Sequence, residues 1–330
     1  MNTNETQHVT TANVEACAEV FERIAENVNS VLIGQEAVVS QVLQCMIANG
    51  HVLLEGVPGL GKTLLVRALA TSIACSTNRI QFTPDLMPSD ITGHAQYNMR
   101  EEQFVIRKGP VFTNLLLADE INRAPAKTQS ALLEVMQERQ STIEGESFEI
   151  EQPYMVLATQ NPIEFEGTYP LPEAQLDRFM VNVLIEYPDQ SNEESLVDLV
   201  TTGKPADKLD TSSIEAVAEA VDVRNAQQVS SQILVDQAVL SYAVSIVRTT
   251  RQFEGISQGA SPRAAIALIR MARAQALLSS RTFVTPDDVR SVAVSVLRHR
   301  IALSPDFQFE GHSKDQVLET AIQSVEAPRT

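Results

Sequence analysis

The segment Gly56-Val57-Pro58-Gly59-Leu60-Gly61-Lys62-Thr63 sets a lysine and a hydroxyl at the end of a glycine-punctuated loop. It fits the pattern G-x-x-x-x-G-K-[ST] at every position. That arrangement is a phosphate cradle. Gly56, Gly59 and Gly61 let the backbone turn tightly and approach phosphate oxygens. The loop N–H groups and the start of the following helix then point at the anion. Lys62 supplies a point charge for β- and γ-phosphates, and the Thr63 hydroxyl is a ligand for Mg²⁺. By composition alone, a random chain of this length matches at roughly the one-in-a-hundred level. The context narrows it further: Val52-Leu53-Leu54 reads as a buried strand and the run from Lys62 through Leu64 to Ala70 as a helix.

Five more residues could complete the chemistry. Asp119 and Glu120 close the apolar run Leu115-Leu116-Leu117-Ala118, which places them where doubly wound sheets bind ligands. Asp119 can hold the Mg²⁺ shell, and Glu120 can activate a water. Alone they would be a solvated acid pair; behind a phosphate loop they read as hydrolytic. Asn161 ends the next apolar strand, where an amide can donate to a γ-phosphate or orient water, although Asn161-Pro162 is also a plain turn. Arg178, after a Pro-rich loop, could reach a neighbouring subunit's γ-phosphate, or simply pair with Asp177 or Glu173. Arg263 follows Ser261-Pro262, a capped helix start. A first-turn arginine opposes the helix dipole, which favours a role facing an anion.

The elements that must position these residues follow from periodicity. Residues 1–12 are polar and expected to be disordered. Helices are expected over 14–28 and 36–48, and a second strand at Ile80-Gln81-Phe82. Two alternating stretches predict β-hairpins, one at 92–110 with its tip near Met99-Arg100-Glu101-Glu102, the other at 141–150 around Glu144-Gly145-Glu146. Buried strands are expected at 154–159 and 179–185. The expected fold class is α/β: a P-loop domain with a parallel sheet and hairpin inserts over 13–188, a linker over 189–210, then a smaller all-α domain over 211–330. Its helices are expected at about 213–221, 235–250, 262–279, 286–300 and 314–325.

The whole chain has 330 residues, is 44% hydrophobic, has no Trp, and carries a net charge of −17 from 25 basic and 42 acidic residues. Such acidity opposes a nucleic-acid role, because phosphate backbones are bound by clustered Lys and Arg. Cys17, Cys45 and Cys75 are too scattered for a metal site and read as small hydrophobes in a reducing compartment. His8, His51, His94, His299 and His312 lack ligand spacing and read as structural or surface residues. No signal peptide is recognisable, and no apolar run approaches the ~20 residues of a membrane span. A cytoplasmic location is expected.

With these pieces assembled, the chain resembles the AAA+ ATPases, and specifically the MoxR family, over about residues 13–325. The motifs that carry the likeness are the loop 56–63, Leu116 to Arg123, Ala158-Thr159-Gln160-Asn161-Pro162, Pro172 to Phe179 and Ser261-Pro262-Arg263. By that resemblance, Asn161 is the sensor-1 residue, Arg178 the arginine finger and Arg263 the sensor-2 arginine. The adenine-side segment is Val31 to Gln35, so Ile33, Gly34 and Gln35 join 56–64 and Asp119 as candidate nucleotide-binding residues. The hairpins resemble inserts that line the central pore of a ring. The resemblance implies ATP and Mg²⁺ as cofactors, a hexamer, a von Willebrand factor A-type partner and a protein client. Related inserts occur in magnesium chelatase subunits and MCM-type helicases, so a nucleic-acid motor or a chelatase-like motor is the alternative. A nucleotide switch without turnover is disfavoured by Glu120.

Overall fold

The computed structural model describes residues 10–57, 59–161, 167–201 and 214–328. Outside them lie residues 1–9 of the expected disordered tail, Pro58, 162–166, 202–213, which include the second part of the expected linker, and 329–330. Helix α1 (Thr11–Asn29) buries Val14, Phe21, Ile24 and Val28. It starts inside the expected tail, at Thr11, because the Thr10 hydroxyl accepts the Asn13 N–H at 3.3 Å. Then come α2 (Glu36–Ile47), β1 (Val52–Glu55), α3 (Lys62–Ser72), β2 (Thr77–Gln81) and the short α4 (Pro88–Thr92). The first hairpin is β3 (Gly93–Asn98) with β4 (Gln103–Lys108); β5 (Leu115–Asp119) and α5 (Ala126–Glu138) follow. The second hairpin is β6 (Gln140–Ile143) with β7 (Glu146–Glu149). After them come β8 (Met155–Gln160), α6 (Glu173–Leu176), β9 (Val181–Leu184) and α7 (Gln190–Thr201). Both hairpins fall where alternation placed them.

The five parallel strands pair in the order β2-β5-β8-β1-β9. Their near-continuous apolar runs reflect burial on both faces, as parallel sheets require. Each central strand turns polar at its C-terminal end: β1 at Glu55, β5 at Asp119, β8 at Thr159 and Gln160. The sheet's apolar body therefore ends in one polar rim. At the opposite end His51 ties three elements together. Its Nδ1 accepts the Val156 N–H at 3.0 Å and its Nε2 lies 3.0 Å from the Met136 carbonyl, which fixes the proton on Nε2. The ring is buried and meets the Tyr154 ring edge-on. Replacing His51 by Ala leaves a cavity and strands two backbone groups, so a loss of about 2–4 kcal/mol is expected. Urea denaturation checks this; a loss below about 1 kcal/mol would mean that other groups satisfy Val156 and Met136.

The stretch read as linker opens instead on helix α7, whose first turn is organised by Asp189: its carboxylate accepts the Asn192 N–H at 2.8 Å. A helix expected at 213–221 is absent over 214–219. There the Val217 and Ala218 N–H groups donate to the Ser72 carbonyl at 2.9 and 3.0 Å, and Asn27 donates to the Glu215 carbonyl at 2.6 Å. Those backbone groups are spent on α3 and α1, so no helical turn forms.

A second unit comprises α1 up to Arg23, Gln44–Ala48, and the chain from Val221 onward. It holds most of α8 (Ala220–Gln232), α9 (Gln237–Thr249), β10 (Ile256–Gln258), α10 (Pro262–Leu278), α11 (Pro286–Leu297), β11 (Ala302–Leu303), α12 (Pro305–Phe309) and α13 (Lys314–Gln323). Its body is helical, with one small antiparallel ribbon, β10–β11. The expected cap of α11 forms as a reciprocal box between Thr285 and Asp288. Burial works against ionisation of Asp288, but Arg281 and Thr285 outweigh it and hold the carboxyl below its ordinary range. No helix among the described residues is long and apolar enough to cross a membrane.

Candidate active site

The phosphate loop leaves β1 at Glu55 and enters α3 at Lys62. Gly61 caps α3 with φ +81°, a left-handed conformation that side-chain-bearing residues rarely adopt. A Cβ at Gly56 would stand 2.6 Å from the Ile185 carbonyl, so only glycine lets the loop's start pass that close to the end of β9. The Lys62 ammonium donates to the Gly56 carbonyl across the loop. Burial pulls the Lys62 pKa down, and Asp119, Glu120 and Glu55 pull it partly back. A phosphate would act in the same sense as those carboxylates and reinforce the charged form.

A cleft of ≈ 590 Å³ opens at the polar rim of the sheet. Of the residues singled out in the sequence, Gly59, Gly61, Lys62, Thr63, Leu64, Asp119, Glu120 and Asn161 line it. Strand order explains the convergence, because β1 lies between β8 and β9 and β8 lies between β5 and β1. Gly56, Val57 and Leu60 are loop residues outside that lining, and Pro58 lies outside the described residues. Ile33, Gly34 and Gln35 also fall outside the lining, yet their segment is packed on the loop: Leu32 Cδ1 lies 2.8 Å from where a Gly61 Cβ would stand. Gln35 donates to the Glu186 carbonyl at 2.9 Å, which anchors the segment beyond β9.

The two acids are held differently. Asp119 Oδ1 accepts the Thr159 hydroxyl at 2.6 Å, and Oδ2 takes Arg79 Nη2 at 2.7 Å. Glu120 sits in the left-handed region, φ +57°, with its N–H on Thr159 Oγ1 at 2.8 Å. Its carboxylate accepts Gln81 Nε2 at 2.7 Å and Arg123 Nε at 3.1 Å. Thr159 thus serves both acids, accepting from one backbone and donating to the other side chain. Sequence reading passed over Thr159, Arg79, Gln81 and Arg67, which also line the cleft. Arg79 and Gln81 are two residues apart on one strand and so share a face, a spacing visible in the sequence.

Arg178 is not in the lining and is half-buried rather than fully exposed; its Nη1 donates to the Leu133 carbonyl of α5 at 2.9 Å. Arg263 belongs to the other unit. It is exposed in the first turn of α10, and its N–H is capped by Ser261 Oγ at 3.2 Å.

A Mg²⁺ ion fits this donor set. Thr63 and Asp119 offer one hydroxyl and one carboxylate, and no cage of three or more acidic, His or Cys ligands occurs among the described residues. Mg²⁺ in nucleotide sites takes one or two protein oxygens and completes its octahedron with phosphates and water.

Comparison with known proteins agrees with the geometry. The profile of the ATPase family associated with various cellular activities (AAA) matches residues 51–181, and that of the AAA lid domain matches 248–321. An uncharacterized protein, YeaC, of Bacillus subtilis (strain 168) is 43% identical over 93% of this chain and 94% of its own length. Chaperone MoxR1 of Mycobacterium tuberculosis is 42% identical over 94% of this chain and 82% of its own. A crystal structure from Cytophaga hutchinsonii ATCC 33406, described provisionally as an ATPase, superposes with a TM-score of 0.88 at 39% identity, covering 96% of this chain and 98% of that one. Phosphate loop, paired acids and lid stand in the family's order along nearly the full length, and the chain belongs to the MoxR family of AAA+ ATPases.

Proposed function

We propose that this ATPase works in the cytoplasm as a ring of like subunits, a hexamer, that binds Mg-ATP at each subunit interface and remodels a protein partner. The observation that carries the reading is the split of the expected machinery. Lys62, Thr63, Asp119, Glu120 and Asn161 share one cleft, whereas Arg178 is held on α5 outside its lining. Arg178 is outside the lining of its own cleft, so the Arg178 of a neighbour is the one that would complete it.

Within one site, Lys62 and the loop amides hold the phosphates while Ile33, Gly34 and Gln35 flank the base. Thr63 and Asp119 would hold Mg²⁺, which would supply positive charge to offset the charge that develops on the phosphates. Glu120 takes the proton of the attacking water, and Asn161 orients that water or donates to the γ-phosphate. Arg178 of the next subunit stabilises the transition state. Arg263, at the capped start of α10, carries the phosphate state to the lid. A client is supported by the name of the relative Chaperone MoxR1 and by the first hairpin, which exposes Tyr97, Met99 and Phe104. A von Willebrand factor A-type protein is the proposed partner by family likeness.

The shared site is tested by light scattering and ATPase assays over a dilution series. A mass several times 36.2 kDa with Mg-ATP, and specific activity that falls as the assembly dissociates, are expected. A monomeric mass with undiminished specific activity at every concentration would overturn the interface reading.

A further inference from the structure

Arg79 has no place in the scheme above, yet it holds the proposed metal ligand Asp119 by an ion pair. Asp119 has two oxygens and both are occupied. Oδ1 takes the Thr159 hydroxyl at 2.6 Å; Oδ2 takes Arg79 twice, Nη2 at 2.7 Å and Nε at 3.2 Å. The two partners differ in how readily they can leave. Thr159 is 1% exposed and is also held by the Glu120 N–H. Arg79 comes from β2, the edge strand of the sheet, and its side chain is 51% exposed. Arg79 Nη2 also donates to Gln81 Oε1 at 2.8 Å, a second anchor that does not involve Asp119. Arg79 lines the same cleft as Lys62 and Thr63.

We propose that Arg79 is a positioning residue that acts as a placeholder cation: it neutralises Oδ2 of Asp119 in the nucleotide-free protein and is displaced when Mg²⁺ enters with ATP. The inference rests on the reading of Asp119 as a Mg²⁺ ligand. Asp119 adjoins Glu120, and Lys62, the other cation acting on it, is engaged with the Gly56 carbonyl, so Arg79 is the cation in direct contact with Oδ2. The fork of Arg79 makes that contact without taking the Thr159 side, so Oδ1 and the backbone of Glu120 stay fixed while Oδ2 changes partner. Displacement works against metal binding, so Arg79 weakens the coupling between Mg²⁺ and ATP. An ordinary cross-strand ion pair would tie β2 to β5 and leave that coupling unchanged.

The test is the affinity of adenylyl imidodiphosphate, measured by calorimetry in EDTA and in excess Mg²⁺, for the full chain and its Arg79→Ala and Arg79→Lys variants. The quantity read is the ratio of the two affinities, which a uniform loss of stability does not change. Arg79→Ala is expected to enlarge the ratio by roughly three- to tenfold, the scale of a half-exposed, two-pronged ion pair. Arg79→Lys, which keeps the charge but not the fork, is expected to fall between. An unchanged or smaller ratio in Arg79→Ala, or full restoration by Lys, would overturn the placeholder. If instead the unsubstituted protein shows no Mg²⁺ enhancement and Asp119→Asn changes nothing, the metal reading of Asp119 fails.

Discussion

Glu120→Gln is expected to bind ATP as the unsubstituted protein does and to hydrolyse it about 10²- to 10⁴-fold more slowly. The substitution is nearly isosteric, so the framework around position 120 should persist. The backbone N–H stays on Thr159, and the side-chain oxygen can still accept from Gln81 or Arg123. What disappears is the basicity needed to take a proton from water. The residue contacts the rim of the cleft while Lys62 and Thr63 carry the phosphates, so affinity and turnover should separate cleanly. Calorimetry for binding and single-turnover hydrolysis for the chemical step measure the two quantities independently. Hydrolysis at the unsubstituted rate would remove Glu120 from the proton-accepting role. Loss of binding would show that the site had been disturbed rather than disarmed.

Arg178→Ala is expected to lower turnover by about 10³-fold or more, the scale of a removed arginine finger. The loss should be a property of the assembly and not of the subunit. Mixing settles this. Arg178→Ala subunits keep Glu120, and Glu120→Gln subunits keep Arg178, so each is inactive alone. In a 1:1 mixed ring about a quarter of interfaces pair an intact acid with an intact arginine, and activity of that order should return. A guanidinium has five donors, of which one is fixed on the Leu133 carbonyl. That tether would steady the group at the edge of its own subunit. Activity that stays near zero in every mixture would place Arg178 in a structural role on α5; full activity of pure Arg178→Ala would remove it from catalysis.

The parts of the site that sequence reading recovers are those whose chemistry is local. The loop from Gly56 to Thr63 announces itself because its residues act through their own backbone and immediate neighbours. Asp119 and Glu120 are legible because a parallel strand is apolar along its length and polar at its end, as β1, β5 and β8 all are. The hairpins are legible from alternation. What escaped depends on register. Arg79 matters because Gln81 pairs with Asp119 across β2 and β5, a fact no pattern within β2 contains. Thr159 matters because β8 carries it alongside Asp119. α7 was lost in an expected linker because its first half, Gln190 to Ser195, is wholly polar. α8 was missed because its buried face is small, made of Val223, Ala226 and Ser230, and gives little apolar contrast. The helix expected at 213–221 failed over 214–219 for the opposite reason: Val217 and Ala218 carry the apolar period, but α3 claims their backbone.

The order β2-β5-β8-β1-β9 also sets a timetable during synthesis. β1 bears the phosphate loop, yet both of its neighbours are made late: Val52 pairs with Leu157 on one side and Val181 on the other. A nascent chain that has left the ribosome only as far as the loop therefore carries an apolar strand with two open edges. It cannot close the cradle, whose entry at Gly56 leans on Ile185. Both edges of β1 are covered only once β8 and β9 have emerged, so an exposed apolar strand precedes the cradle that it will carry.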